Sequence, residues 1–486
     1  MPISSLASPY GIGTFGDKAY EFANFLKDAG QTYWQILPLG HTSYGDSPYQ
    51  AFSAFAGNPY FIDFEVLERD GLLNHDDFAH RNFGHDPERV DYGAIYNERY
   101  EVLAIAFNNF KNHSQDEFNI FKEQSGWWLK DYALFMAIKE KMQSKGWKEW
   151  DEDLKLRRRE ALSNAREELK ERISFWEFVQ FQFFKQWNYL KSYVNKLGIE
   201  IIGDIPIYVA EDSSDAWANS EIFLLDESKN PTVVAGCPPD AFSETGQLWG
   251  NPIYNWEYLE STGYSWWITR VRESLKLFDV IRVDHFRGFE AYWTVPYGEE
   301  TAINGEWVKG PGIKLFNAIK NELGDVNIIA EDLGYLTQDV LDFLAETKFP
   351  GMKVLQFAFD SREESDYIPH TYEKNCIVYT GTHDNDTVMG WIDETGNPDD
   401  VAHAKNYLRL NEEEGLHWGF IRGAWASVGY VALAQMQDFL ALGNESRINL
   451  PSSSEGNWQW RIKPDAINND LSQQIYKLTK LYGRFQ

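Results

Sequence analysis

Three carboxylates stand directly after short apolar runs in this chain: Asp284 in VIRVDHF, Glu331 in NIIAEDLG and Asp384 in CIVYTGTHDND. A parallel strand buried on both faces reads as a continuous apolar run, and an α/β barrel carries its chemistry at the carboxyl ends of its strands. One such acid would serve equally well as a helix N-cap or an ion-pair partner. Three in series, with Asp204 of IEIIGDIPIYV as a fourth, favour catalysis. Residues two apart on a strand share a face, so Arg282 and Asp284 point the same way, and the guanidinium is expected to hold Asp284 ionised, as a nucleophile requires. Glu331 follows the wholly apolar Ile328, Ile329 and Ala330, where desolvation raises a carboxyl pKa and suits a general acid. Two carboxyls in unlike settings are the equipment of retaining glycosidic-bond chemistry: one attacks the anomeric carbon, and the other protonates the departing oxygen and then activates the acceptor. Asp384, with His383 beside it, is expected to grip sugar hydroxyls more tightly as the ring distorts.

The same acids with His285 and His383 would also describe a divalent-cation site. Arg282 and Arg287, flanking Asp284, would repel a cation, so no metal is expected. Taken singly, either histidine would serve as a hydrogen-bonded structural residue. A formal charge of -29 excludes a phosphate-backbone partner, which needs clustered Lys and Arg, and favours a neutral ligand. The one basic run, KLRRR at 155–159, lies among acids and alternates in sign like a solvated helix face. Nineteen Trp in 486 residues exceed ordinary packing needs and suit sugar stacking, although most must fill the core. Only Cys237 and Cys376 occur, without the spacing of a disulfide framework or metal site. The amino terminus has no basic and apolar leader pattern, and no long apolar span appears, so a cytoplasmic, membrane-free protein is expected.

Strand and helix signals must place the acids. TYWQILPLG reads as a first strand and NPYFIDFEVL as a second, joined by a Gly-, Pro- and aromatic-rich loop suited to lining a pocket. Residues 72–176 read as an inserted helical subdomain without strand signals. From residue 199 strand and helix alternate: IEIIGD, then WWITRVRESLKLF before VIRVD, GIKLFNAIKNELG before VNIIAED, TQDVLDFLAETKF before MKVLQFAF, and then NCIVYTGTHD. RINLP is the last strand candidate and DLSQQIYKLTKLYGRF the closing helix. The reading is one catalytic (β/α)8 barrel over residues 1–486, with helical insertions and no C-terminal β-sandwich. The Gly-, Pro- and Ser-containing segment 235–252 is expected to act as an active-site lid, with Trp249 available to stack on a sugar.

The segments YWQILPLG, YGDSPYQAFSAFAGNPY, GDIPIYVAEDSSDAWAN, GCPPDAFSETGQLWGNPIYNW, IRVDHFRGFEAYW, IIAEDLG, YTGTHDNDT and INLPSS resemble the 4-alpha-glucanotransferases (amylomaltases, or disproportionating enzymes), nearly end to end. The resemblance implies Asp284 as nucleophile, Glu331 as general acid/base and Asp384 as transition-state stabiliser, with Arg282 orienting the nucleophile. It also implies Tyr49 stacking under the sugar, and Asp204, His285, Gln356, His383 and Asn449 contacting hydroxyls or supporting the acids. The expected substrates are α-1,4-glucans and maltooligosaccharides, with no cofactor, no nucleic acid and no membrane partner; the oligomeric state stays open. An amylase-type hydrolase would favour a β-rich carboxyl-terminal domain and a calcium site, and a catalytically dead binding barrel would favour loss of one of the acids; the sequence shows none of these.

Overall fold

The computed structural model describes residues 1–43, 45–239, 243–334, 336–362, 364–451, 453 and 455–485. Its eleven strands are β1 (Tyr33–Gln35), β2 (Glu200–Ile205), β3 (Val233–Cys237), β4 (Gln247–Pro252), β5 (Val280–Val283), β6 (Ala291–Pro296), β7 (Glu306–Lys309), β8 (Ile328–Ala330), β9 (Gly351–Val354), β10 (Cys376–Tyr379) and β11 (Val431–Leu433). Seven of them are parallel, in the orders β1-β2-β5-β8 and β9-β10-β11. Ala330 N donates to Pro350 O at 2.9 Å and joins the two runs. Past the other edge of β1, Met1 N donates to Gln35 O and Trp34 Nε1 donates to Met1 O. The architecture is the α/β barrel that the strand and helix alternation predicts, and after β11 the described residues hold helices and turns, ending in the helix Asn469–Leu481.

Two strand expectations are overturned. NPYFIDFEVL forms a short 3-10 turn at Pro59–Phe61 and a helix at Phe64–Arg69. Asn58 Oδ1 accepts from Tyr60 N, Pro59 opens the turn, and Asp63 Oδ1 accepts from Val66 N, so helix-start chemistry outweighs the apolar run. Among the described residues RINLP pairs with no strand: Ile448 is buried but Leu450 faces solvent. The last barrel strand is instead β11, a three-residue stretch in GYVALAQ.

Residues 72–176 are helical, carrying Tyr92–Phe110, Asp116–Lys141 and Arg159–Glu168 before the long helix Lys170–Lys196, which stops ahead of Gly198 at φ +80. Their apolar faces run into the barrel core without a break: Tyr132, Phe135, Phe178 and Trp187 share one buried cluster with Ile201, Phe278 and Ile281. Two glutamines of the long helix bind the loop after β1 as a neighbouring strand would. Gly57 N donates to Gln180 Oε1 (2.8 Å) while Gln180 Nε2 donates to Gly57 O (2.9 Å), and Gln186 makes the same pair with Asp63.

The segment 235–252 is largely sheet. β3 and β4 pair antiparallel and belong to a second, four-stranded sheet ordered β4-β3-β6-β7; residues 240–242 of the expected lid lie outside the described residues.

Candidate active site

Register alone places the acids together. β2 and β5 pair with Asp204 opposite Arg282, and β5 and β8 pair with Val283 opposite Ala330, so Asp284 and Glu331 each stand one residue beyond adjacent strand ends. The backbone continues the ladder past those ends, with Asp284 N donating to Ile205 O, Glu331 N to Val283 O and Phe286 N to Glu331 O. Arg282 Nη1 then donates to Asp204 Oδ2 at 2.6 Å and to Asp284 Oδ1 at 3.1 Å. The shared face expected of Arg282 and Asp284 is thus realised, and the guanidinium fills the space between two carboxylates where a cation would otherwise sit.

Electrostatics separate the two central acids. Burial pushes Asp284 up to about 6 against the pull of Arg282, so the expected depression is overturned. Burial pushes Glu331 further, up to about 7, opposed by Arg282 and by backbone donation from His285 N (2.6 Å) and Leu333 N (2.9 Å). Asp284, hydrogen-bonded to Arg282, is held below Glu331.

The remaining candidates surround this pair. Tyr49 Oη donates to Asp204 Oδ2 at 2.9 Å, and its ring stacks on His383 at 5.1 Å and 21°. Burial, then the Asp204 charge, holds the phenol protonated. His383 Nε2 lies 3.3 Å from Asp384 Oδ1, which also accepts from Asn449 Nδ2 at 2.6 Å. Trp249, on β4, meets His285 edge-on at 4.8 Å and 85°. His285 is left-handed (φ +50), and burial lowers its pKa to about 3, leaving a neutral imidazole whose Nε2 has no hydrogen-bond partner among the described residues. Gln356 is buried and gives its Nε2 to Asp386 O at 2.8 Å, so it braces the turn that bears Asp384. Each of the eleven candidates is tied to another candidate or to the turn bearing Asp384.

The family model described as 4-alpha-glucanotransferase matches residues 1–468. The chain belongs to the 4-alpha-glucanotransferase family. A 4-alpha-glucanotransferase of Clostridium butyricum is 57% identical over 485 residues, covering 100% of both chains. The solved amylomaltase of Streptococcus agalactiae in complex with acarbose superposes with a TM-score of 0.98 at 44% identity, covering 100% of this chain and 99% of that one. The amylomaltase of Corynebacterium glutamicum, at 20% identity and a TM-score of 0.78 over 99% of this chain and 73% of that one, shares the fold.

Within this 4-alpha-glucanotransferase framework three residues escaped the sequence reading. Trp458 packs against both His383 and Tyr49 (5.7 and 5.9 Å), and Arg447 bonds Asp386, Asp384 and Asn449. Asp386 lies inside THDND, and Arg447 immediately precedes INLPSS, so the motif flanks held the signal for both; Trp458, in GNWQW, had none beyond its residue type.

Proposed function

We propose that this chain moves an α-1,4-glucan segment from a donor maltooligosaccharide to the 4-hydroxyl of glucose or another α-glucan by retaining double displacement. Asp284 attacks the anomeric carbon while Glu331 gives its proton to the departing 4-oxygen, leaving a covalent glycosyl-Asp284. The acceptor 4-hydroxyl then surrenders its proton to Glu331 and attacks the same carbon, and the Asp284 carboxylate leaves. The observation that carries this reading is the pair of adjacent strand-end carboxyls, the first tied to Arg282 and the second raised further by burial. Asp384 grips the sugar hydroxyls in the distorted ring, Tyr49 stacks beneath it, and the neutral His285, whose Nε2 has no partner among the described residues, takes a hydroxyl. Asp204, His383, Gln356 and Asn449 hold these groups in place.

Transfer over hydrolysis requires that water be kept from the intermediate while an acceptor is held. We assign that task to segment 235–252, with Trp249 over His285 as its sugar-facing part, and to residues 72–176, whose Tyr100 and Tyr132 hydroxyls bracket His41, the task of holding the loop that bears Tyr49. The sparse cysteines and acidic charge suit a cytoplasmic setting. Acarbose, the compound bound by the Streptococcus agalactiae amylomaltase, is expected to bind here as well.

The test is incubation with maltotriose alone, following the product ladder and total reducing ends. Glucose plus maltopentaose and longer chains at constant reducing ends is the expected result; rising reducing ends would assign hydrolysis instead. Asp284→Asn is expected to lose at least about a thousand-fold in kcat with the fold intact, and retention of substantial turnover would remove Asp284 as nucleophile.

A further inference from the structure

Asp384 stands on a turn, not on a strand, and β10 ends at Tyr379, so something else must fix its aim. The turn itself supplies only local bonds, such as Thr382 N to Asn385 Oδ1 at 2.8 Å and Asp384 N to Thr382 Oγ1 at 3.3 Å. From across the site a single guanidinium reaches three points. Arg447 Nη2 donates to the Asp384 carbonyl at 2.5 Å, Nη1 to Asp386 Oδ1 at 2.5 Å, and Nε to the carbonyl of Asn449 at 2.8 Å. Asn449 in turn gives its side-chain amide to Asp384 Oδ1 and its backbone N–H to His383 O. Asp386 is anchored on its other side by Thr395 Oγ1, and its carbonyl accepts from Gln356 and Gln435.

We propose that Arg447 is a positioning residue for the glucan-transfer reaction, fixing at once the main chain of Asp384 and the residue that binds the Asp384 carboxylate. Among the described residues its side-chain hydrogen bonds go to Asp384, Asp386 and Asn449, and its side chain is only 19% exposed, so it acts through Asp384. The planar fork of donors suits three acceptors in fixed directions, which a lysine ammonium on a flexible stem does not reproduce. This inference rests on the role given to Asp384 above.

The test is a double-mutant cycle of Arg447→Lys and Asp384→Ala in the full chain, with kcat and KM for maltotriose, acarbose inhibition and thermal midpoint measured on each. Misplacing a group by about 1 Å can cost on the order of 100-fold, so Arg447→Lys is expected to lose about 10- to 100-fold in kcat with KM changed less than about three-fold. Asp384→Ala is expected to lose more, and adding Arg447→Lys to it to lose less than about two-fold further, because the two act as one unit. Multiplicative losses, or a loss in Arg447→Lys that tracks a fallen thermal midpoint, would overturn the proposal. Asp386→Asn, which keeps the shape and weakens one arm, is the second variant: an intermediate kcat loss with unchanged KM supports the clamp, and wild-type kcat overturns it. An active Asp384→Ala would instead overturn the reading of Asp384 on which the clamp depends.

Discussion

At the residue scale the site works by setting two carboxyls apart. In the proposed mechanism turnover requires Asp284 ionised and Glu331 protonated, so activity is expected to fall on the acid side as Asp284 takes a proton near pH 6 and on the alkaline side as Glu331 loses one near pH 7. The two groups sense each other, so the limbs belong to the pair and not to either acid alone. A narrow bell for kcat/KM with a maximum between about 6 and 7 is the expected profile. A flat profile from about pH 5 to 8 would mean that Glu331 does not transfer the proton. The sequence conveyed the ordering of these acids because their flanks differ: an arginine two residues before Asp284, and an unbroken apolar run before Glu331. It did not convey that burial overrides the guanidinium at Asp284, since burial of a strand end depends on β8 and the turn bearing Asp384, which no local pattern reports.

At the element scale, what was legible follows from how fully an element is buried. β2, β5, β8 and β10 read correctly because nearly all their residues are inside, whereas β11 is three half-buried residues and gave too short a run to register. NPYFIDFEVL misled because its apolar residues are buried while its caps, Asn58 and Asp63, dictate helix. β3 and β4 were hidden by Gly and Pro in a segment that reads as loop, with Gly250 at φ +76 on β4. The long helix Lys170–Lys196 supports the loop after β1 through Gln180, which satisfies both backbone groups of Gly57 from inside the core. Gln180→Leu would bury an unpaired N–H and C=O, each costing about 1 to 3 kcal/mol. The expected loss is about 2 to 6 kcal/mol in denaturant unfolding, together with a raised KM because the same loop carries Tyr49. Unchanged stability would show that this loop does not depend on the helix. Gly203, inside β2, tests the opposite fault: an added Cβ would meet the Phe278 ring at 2.1 Å, so Gly203→Ala is expected to destabilise by overpacking, roughly 1 to 3 kcal/mol.

At the scale of the whole molecule, the charge of -29 and the chemistry are nearly independent. The charges to which the proposed reaction gives a part, Asp204, Arg282 and Asp284, form a compact row in which Arg282 and Asp204 are almost fully enclosed, with side chains 4% and 0% exposed. Mobile ions cannot enter between groups 2.6 and 3.1 Å apart, so salt screens this row weakly, although the Debye length falls from about 10 Å at 0.1 M to about 3 Å at 1 M. The outer acidic surface is screened strongly, but a neutral α-glucan feels no net force from it and gains no steering. Raising salt from about 0.02 to 0.5 M is therefore expected to change kcat/KM for maltotriose by less than about two-fold, with kcat equally insensitive. A steep rise with salt would mean that the acidic field repels the true substrate, and a steep fall that a cationic one is being drawn in. Either outcome would move the substrate class away from neutral glucans, because only a charged ligand couples its encounter rate to the field of the protein.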